Sequence, residues 1–448
     1  MIVMKFGGTS VESAEAIERV ARIVRERLER RPVVVVSAMG KTTNKLLAIA
    51  SAAVAGEREK ALGLLEDLAQ FHRKEIVGLG IDREIEEHFQ ELMELVKGLA
   101  VMGEMTARAT DAVSAFGERL SSIVVAAVFR QRGLDAMHLD SRAVIITDRR
   151  HTQAAPVFGE TYQKLGAVVP PLAQKHVVVM GGFIGSTEDG VTSTLGRGGS
   201  DYTASIVGAG IGAEEIQIWT DVDGMLTADP TVLPGGHRVK QCSFAEAAEL
   251  AYFGAKVLHP ATVLPAIEKN IPVRILNSRR PQVEGTLIAA EAPGSASPIR
   301  SIACKKSISL VNIVSTRMLM AHGFLRRIFE IFDRYETSVD MLATSEVSVS
   351  LTIDNVQSLP AICREIKEFA DVTVEDNQAI VCMVGENIRT GRVTARAFAA
   401  LQDVKVRMIS EGASQLNISL VVAAADLARA VELLHREFFA NPDPAAFE

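Results

Sequence analysis

The segment Gly196–Asp201, with the sequence Gly-Arg-Gly-Gly-Ser-Asp, combines residue types that suit recognition of an anion. Arg197 offers a planar guanidinium that matches a carboxylate, and the glycines let a ligand approach the backbone closely. Ser200 or Asp201 is expected to cap a helix that runs through Ala204. A plain loop before a capped helix would not need an arginine between glycines, so we interpret this segment as a binding loop.

A second segment, Lys5–Ser10, follows the predicted strand Val3–Phe6 and has the sequence Lys-Phe-Gly-Gly-Thr-Ser. A lysine at a strand end is usually just solvated. Here Gly7 and Gly8 expose backbone N–H groups beside it, and a predicted helix, Ala14–Arg27, begins a few residues later. This combination suits phosphate. On these residues alone, a phosphate site and a solvated lysine remain equally open.

Three further groups of residues are less specific. Thr220–Gly224 follows a strand and is either a simple turn or a site for a nucleotide or a magnesium-bound water. Gly254–Pro260 places Lys256 among small residues, and Glu118 alone resembles an ordinary carboxylate on a helix surface. No cluster of His, Cys and Asp predicts a transition-metal site.

Two glycine-rich segments fail as nucleotide motifs. Gly40–Thr43 ends like a P-loop, but Val35 stands where the first glycine of that motif belongs. Gly208–Ala213 fits the loose dinucleotide pattern but leads into a strand at Ile216 instead of opening a helix, so a turn that ends a helix is the better interpretation.

Length and composition narrow the class of protein. A chain of 448 residues predicts two to four domains, and 48% hydrophobic with 23% charged residues is typical of a soluble globular protein. A net charge of −7 argues against nucleic acid or an anionic membrane as the main partner. We expect neither an apolar run of membrane-spanning length nor a leader peptide. The four cysteines are scattered, so we expect no disulfides and no zinc knuckle, and the expected compartment is a reducing cytoplasm.

The first 291 residues alternate apolar strands with amphipathic helices, which predicts a three-layer α/β/α domain with a largely parallel sheet. Ala52–Ser122 is predicted to be a helical excursion from this pattern. Because ligands bind beyond the carboxyl ends of strands in such sheets, the polar residues after several strands should converge on one edge. The further strands expected in this sheet are Val33–Val36, Val177–Met180, Ile216–Trp219 and Val273–Leu276.

After a predicted linker at 292–298, the pattern changes to two β-α-β-β-α-β units of ferredoxin-like type. The first unit is predicted at 307–376 and the second at 377–448. The second unit lacks a fourth strand, and Ile299–Cys304 could supply it.

Taken together, Lys5–Ser10, Leu195–Ala204, Trp219–Gly224 and Phe253–Pro260 resemble the aspartate kinase family, within the amino-acid kinase fold, over nearly the whole chain. The paired C-terminal units resemble ACT domains, which bind amino-acid effectors, with the first unit inserted into the second. The resemblance implies phosphorylation of the L-aspartate side-chain carboxylate by ATP with Mg²⁺. No side-chain metal ligand is predicted.

The resemblance also implies roles for single residues. Lys5 and Asp201 would be catalytic. Arg197 would pair with the α-carboxylate of aspartate and Glu118 with its α-amino group. The other substrate residues would be Ser37, Thr43, Gly198, Gly199 and Ser200, and the ATP site would comprise Lys5, Phe6, Gly7, Gly8, Thr220, Asp221, Leu226, Thr231, Lys256 and Val257.

One departure and two alternatives accompany this prediction. Leu226 and Thr231 stand where the family often has tyrosine and arginine, so contacts to ATP there are in doubt. No dehydrogenase region follows the ACT units, which predicts a monofunctional enzyme. The alternatives are a kinase of the same fold acting on glutamate, N-acetylglutamate or a nucleotide, and a non-catalytic amino-acid sensor.

The predicted effector is L-lysine, acting across an ACT-mediated homodimer that could assemble further into a tetramer. The first ACT unit resembles that of the lysine-sensitive monofunctional branch, and Asp340 and Glu346 could pair with a cationic side chain. The alternative is that both carboxylates are merely solvated. The predicted effector-site residues are Met318, Gly323, Phe324, Leu325, Ser338, Val339, Asp340, Ser345 and Glu346.

Overall fold

The computed structural model describes residues 1–254, 260–292, 297–315, 322–386, 388–412 and 414–448. They fall into two compact units, one within Met1–Gly224 and Val257–Ala292, the other within Met225–Lys256 and Pro293–Glu448. The segment 225–256 therefore groups with the second unit, and the domain limits given above stay predictions.

The secondary structure alternates through the first unit and changes character in the second. The strands are β1 (Ile2–Phe6), β2 (Pro32–Val36), β3 (Ala136–Leu139), β4 (Ile146–Thr147), β5 (Val177–Gly181), β6 (Ile184–Thr187), β7 (Thr192–Thr194), β8 (Glu215–Thr220), β9 (Gln241–Ser243), β10 (Val273–Asn277), β11 (Thr286–Ala289), β12 (Ser301–Val314), β13 (Met341–Thr344), β14 (Ser348–Ile353), β15 (Asp371–Val384), β16 (Met408–Glu411) and β17 (Asn417–Ala423). The α-helices are α1 (Ala14–Arg25), α2 (Thr42–Val54), α3 (Arg58–Glu75), α4 (Asp82–Met102), α5 (Ala107–Ser114), α6 (Phe116–Gln131), α7 (Phe158–Ala173), α8 (Gly199–Ile211), α9 (Phe244–Tyr252), α10 (Leu264–Glu268), α11 (Phe324–Arg334), α12 (Leu359–Ile366), α13 (Gly391–Ala400) and α14 (Leu427–Phe439).

The main sheet of the first unit has the order β3-β5-β2-β1-β8-β10-β11. All neighbours pair in parallel except β10 and β11. Every residue of β1, β2 and β5 is buried, as expected for strands covered by helices on both faces. The predicted three-layer fold with a largely parallel sheet is confirmed, and the carboxyl ends of β1, β2 and β5 lie at one edge.

Two smaller features complete this unit. The predicted excursion is helical but interrupted, because α3, α4 and α5 are separate helices, and Gly103 ends α4 in the left-handed region at φ 68°. Strands β4, β6 and β7 form a second, three-stranded sheet.

Among the described residues, one helical stretch, Ala107–Gln131, is long and apolar enough to cross a membrane by length and composition. The expectation of no such run was therefore too strict. Since 89% of its most apolar window is buried inside the protein, this stretch has the character of a core helix.

In the second unit, β12 and β15 each serve both ACT units of a six-stranded sheet ordered β13-β14-β12-β15-β17-β16. The first half of β12, Ser301–Lys305, pairs with Ile380–Val384, whereas Ser309–Val314 pairs with β14 of the first unit. The register shifts after Lys305, and the separately predicted strands are thus halves of continuous ones. Ser301–Lys305, which precedes the predicted first ACT unit, thus pairs with a strand of the predicted second one, and its assignment to that unit stays a prediction.

Candidate active site

A cleft of about 360 Å³ opens where β1, β2 and β5 end and α8 begins. It brings together most of the residues predicted for catalysis and for the substrate, although they come from distant parts of the sequence. The residues that line it are Lys5, Gly8, Ser37, Ala38, Gly40, Thr43, Glu118, Phe183, Gly196, Gly198, Gly199, Ser200 and Asp201.

Lys5 and Asp201 form an ion pair in this cleft. The Nζ atom of Lys5 lies 2.7 Å from Oδ1 of Asp201, and the two side chains are 10% and 18% exposed. Asp201 is in the first turn of α8, where the positive end of the helix dipole stabilises a carboxylate. The cleft therefore contains a fixed cation with an acidic partner.

The N-terminus of α8 is built from glycine rather than from a capping side chain. Gly198, at φ 70°, is the N-cap residue, and as a glycine it has no side chain to accept a hydrogen bond from the first turn. The expectation that Ser200 or Asp201 caps the helix was wrong, because both lie inside its first turn. No described residue accepts the backbone N–H groups of Ser200 and Asp201, so this end of the helix offers donors to an anion.

Glu118 is the most strongly perturbed carboxylate of the cleft. It lies in the first turn of α6, with Oε1 accepting a hydrogen bond from the Ala38 N–H at 3.0 Å. Its Oε2 atom is buried and has no partner among the described residues. Burial raises the pKa of Glu118 from 4.5 to about 8, although the Ala38 N–H and the charge of Lys5 oppose the shift. The site therefore suits a ligand that brings a positive charge and a hydrogen-bond donor.

The turn after β1 differs from its prediction in detail. The Gly7 N–H donates to the carbonyl of Trp219 at 3.1 Å, so only the Gly8 N–H of the two remains for a phosphate. The Phe6 ring stacks on Trp219 in the core, with ring centroids 5.8 Å apart, so Phe6 can reach ATP through its backbone alone. A Cβ atom at Gly8 would lie 3.0 Å from the Ala38 carbonyl, which explains why a residue without a side chain is needed there.

Other predicted residues do not line the cleft. Arg197 is exposed between two lining glycines, and its role stays a prediction. Thr220 ends β8, and its hydroxyl donates to the exposed Asp221 at 3.3 Å.

Leu226 and Thr231 lie in the second unit, where the Thr231 N–H and hydroxyl both donate to Asp229 at 2.8 Å. Lys256 and Val257, as well as Met318 of the effector site, lie outside the described residues.

Several residues of the cleft were not predicted from the sequence, and Phe183 is the clearest of them. Its φ of 65° is rare for a bulky residue, and its N–H donates to the Thr203 hydroxyl at 2.9 Å. Strained backbone of this kind concentrates at functional sites. Gly181 and Gly182 follow the predicted strand Val177–Met180 directly, but no sequence signal distinguishes a strained phenylalanine after them from a relaxed one. Ala38 and Gly40 were also missed.

The predicted effector residues occupy the first ACT unit. Gly323, at φ 81°, precedes α11, so Phe324 and Leu325 open that helix, while Ser338 and Val339 precede β13. The Asp340 side chain is 5% exposed, and its Oδ1 lies 2.6 Å from Nζ of Lys305. Burial raises the pKa of Asp340, against the effect of Lys305. The alternative of a merely solvated carboxylate is therefore wrong for Asp340.

The remaining two effector residues lie between β13 and β14. The Ser345 and Ser348 hydroxyl oxygens are 2.6 Å apart across this turn. Glu346 is exposed, so the solvated alternative stays open for it.

The sequence matches two known domain families and is similar to aspartokinases of other organisms. Residues 1–277 match the model of the amino acid kinase family, and residues 381–438 match an ACT domain. Lysine-sensitive aspartokinase 3 of Escherichia coli (strain K12) is 36% identical, over 98% of this chain and 99% of that protein. Aspartokinase 1, chloroplastic, of Arabidopsis thaliana is 39% identical, over 98% of this chain and 80% of that protein.

Solved structures agree with the sequence comparisons. The E. coli aspartokinase III structures in complex with lysine and aspartate (T-state), and with aspartate and ADP (R-state), each match with a TM-score of 0.84 at 34% identity. The matches cover 98% of this chain and 99% or 100% of those chains. Fold and cleft thus define a phosphotransferase of the amino acid kinase type. The chain belongs to the amino acid kinase family and, within it, to the aspartokinases, which use ATP to phosphorylate the side-chain carboxylate of aspartate.

Proposed function

We propose that the cleft binds L-aspartate as a zwitterion and orients its side-chain carboxylate toward the γ-phosphate of ATP. Ionised Glu118 holds the α-ammonium group, while Arg197 and the N-terminus of α8 hold the α-carboxylate. The observation that carries this proposal is the buried Oε2 of Glu118, which has no partner among the described residues and lies in the same cleft as Lys5. A carboxylate so placed gains a partner when an ammonium group binds.

Transfer of the phosphoryl group then needs positioning and neutralisation of charge rather than covalent work by the protein. The attacking carboxylate of aspartate is already ionised at neutral pH, so no general base is required. Lys5 stabilises the charge on the phosphate oxygens as they move, and the Gly8 N–H adds a fixed donor. Asp201 holds the Lys5 ammonium in place until the phosphate arrives.

We propose that Mg²⁺ enters with ATP. The described residues contain no group of three His, Cys, Asp or Glu side chains that could hold a metal ion. The proposed cation would be bound mainly by phosphate oxygens and water, as Mg²⁺ commonly is. When bound, Mg²⁺ would neutralise part of the triphosphate charge.

The acceptor is tested by trapping the acyl phosphate with hydroxylamine in the presence of Mg-ATP. L-Aspartate should give the hydroxamate, and L-glutamate should give little, because its extra methylene misplaces the nucleophile. Equal rates with the two amino acids would reject aspartate as the preferred acceptor.

We further propose that L-lysine inhibits the enzyme through the first ACT unit of a homodimer. Support comes from the name of the lysine-sensitive E. coli relative and from its structure solved with lysine and aspartate. Inhibition requires that lysine bind an inactive arrangement more tightly than the active one. Asp340→Ala should weaken inhibition without changing the uninhibited rate. Inhibition by threonine and not by lysine would overturn the effector assignment and leave the kinase assignment intact.

A cytoplasmic location is also proposed, from the cysteine pattern. The names of the Arabidopsis relatives place them in the chloroplast, so fractionation of the source cells is the direct test.

A further inference from the structure

Asp111 is a fully buried carboxylate that the mechanism above does not use. It lies in α5 and accepts hydrogen bonds from three residues distant in sequence. Its Oδ1 accepts from the Thr194 hydroxyl at 2.5 Å and from the Thr152 N–H at 3.0 Å. Its Oδ2 accepts from the same N–H at 3.1 Å and from His151 Nδ1 at 2.8 Å. The single carboxylate of Asp111 therefore connects Thr194, Thr152 and His151.

The residues that Asp111 holds support the loop that lines the cleft. Thr194 is the last residue of β7, and its carbonyl accepts the Ala154 N–H at 2.9 Å. The carbonyl of Thr152 lies against Gly196, where an added Cβ atom would be 3.1 Å from it. Gly196 begins the run of cleft residues that ends at Asp201. Asp111 therefore fixes both the strand that leads into this loop and the segment that packs against its first glycine.

The cost of this arrangement argues for a role beyond packing. A buried carboxylate is unfavourable unless hydrogen bonds compensate for its lost hydration. Thr152 has a φ of 69°, which is strained for a β-branched residue, and its N–H is one of the groups that Asp111 holds. Strain retained beside a cleft loop indicates that the surrounding contacts define the loop position closely.

We propose that Asp111 is a positioning residue for aspartate binding: through Thr194 and Thr152 it sets the geometry of the Gly196–Asp201 loop. It touches no reacting atom and acts on the substrate through that loop. The inference rests on the proposed function, in which the same loop binds the α-carboxylate of aspartate.

Thr194→Val tests the inference while leaving Asp111 in place. The variant removes one hydroxyl donor to a buried carboxylate and keeps the shape of the side chain. We expect the aspartate KM to rise about tenfold, as for loss of one hydrogen bond to a charged group, with a smaller change in kcat and the ATP KM within about twofold of the wild type.

Thr187→Val is the matched control. Thr187 ends the neighbouring strand β6, is as buried as Thr194, and donates its hydroxyl to Asp189 at 2.6 Å. A purely structural role predicts that both variants lower the melting temperature and leave the aspartate KM unchanged. An aspartate KM within twofold of wild type for Thr194→Val overturns the inference.

Three further variants separate the possible outcomes. Asp111→Asn keeps one acceptor oxygen, and its amide can donate to His151 in the other tautomer, so its aspartate KM should lie between those of the wild type and Asp111→Leu. Equal values for both Asp111 variants would contradict the inference. If Arg197→Ala leaves the aspartate KM unchanged, the proposed function itself fails. If Arg197→Ala raises it and Thr194→Val does not, only the positioning role is rejected.

Discussion

The candidate active-site cleft and the first ACT unit both contain a buried carboxylate predicted to bind an ammonium group, and each leaves one oxygen without a partner among the described residues, Oε2 of Glu118 and Oδ2 of Asp340. The two carboxylates differ in what holds the other oxygen. Oε1 of Glu118 accepts the Ala38 N–H at 3.0 Å, whereas Oδ1 of Asp340 lies 2.6 Å from the Lys305 ammonium, which also lies 2.8 Å from Asp354. A substrate ammonium therefore meets a carboxylate held by a backbone N–H, whereas an effector ammonium meets one already in an ion pair.

This difference distinguishes the proposed substrate site in the cleft from the proposed effector site in the first ACT unit. A buried carboxylate that is held by a backbone N–H and has no ion pair among the described residues disfavours the empty site and so favours binding of the substrate ammonium. A carboxylate paired within the chain makes binding conditional, since an effector must compete with the internal lysine. The predictions below test each side of this comparison, beginning with the largest expected effect.

Removing the cation of the cleft should have the largest effect. Lys5→Met should lower kcat by about 100- to 1000-fold with a much smaller change in aspartate KM, because Lys5 acts on charge that shifts in the transition state. Steady-state kinetics with both substrates measure this. Lys164→Met, at an exposed lysine paired with Glu160, is the control and should behave as wild type. Near-normal kcat in Lys5→Met would show that the cleft is not the catalytic site.

Arg197 provides the next test. Arg197→Ala should raise the aspartate KM by about 10- to 100-fold through loss of a charged carboxylate pair, with less effect on kcat. Arg83→Ala, at an arginine side chain that is 93% exposed on α4, should leave both parameters unchanged. An unchanged KM in Arg197→Ala would contradict the proposed binding of the α-carboxylate and with it the proposed function.

The raised pKa of Glu118 gives aspartate binding a pH dependence. An ammonium group binds the ionised carboxylate, so the aspartate KM should fall as pH rises toward about 8, by up to about tenfold per pH unit below that value. Glu118→Gln cannot titrate, so its profile between pH 6.5 and 8.5 should be flat and high. A flat profile in the wild type would contradict the assignment.

The same shift has a consequence for stability. Because the folded pKa lies above the ordinary value of 4.5, the folded protein binds more protons than the unfolded chain between about pH 4.5 and 8. The contribution of Glu118 to stability is therefore fully present below that window and is lost as pH rises through about 8. Denaturant unfolding of the wild type and Glu118→Gln across this range measures the difference.

The smallest expected effect concerns Lys305. Lys305→Met removes the internal competitor for Asp340, so the lysine concentration for half-inhibition should fall by roughly fivefold, as for loss of a partly buried ion pair. Lys306→Met is the control, because the Lys306 ammonium contacts the Thr231 hydroxyl at 3.0 Å instead. Weaker inhibition in Lys305→Met would show that Lys305 supports the effector site rather than competes for it.

Much of the cleft was predictable because one topological rule applies to it. Lys5, Gly8 and Ser37 come at or just after parallel strands, and such strand ends meet at one edge of the sheet. The glycine-rich segment that leads into the first turn of α8 also lines the cleft, and its composition made it recognisable in the sequence. The fold class followed from the alternation of strands and helices.

What could not be predicted depends on contacts between residues far apart in the chain. The pairing of Lys305 with Asp340, the hydrogen bonds of Asp111 and the positive φ of Phe183 leave no local signal in sequence. The cap of α8 was misassigned because a glycine in the left-handed region replaced the expected side chain. The Gly7 N–H is already bonded to Trp219, which only the pairing of β1 with β8 determines.

The central claim is that Glu118 reads the ammonium group of the substrate. It is tested most directly by comparing kcat/KM for L-aspartate and for succinate, which lacks that group, in the wild type and in Glu118→Gln. The account predicts that the wild type strongly prefers aspartate and that Glu118→Gln reduces this preference by about tenfold or more, as expected for a hydrogen bond between charged groups. An undiminished preference for aspartate in Glu118→Gln would contradict it.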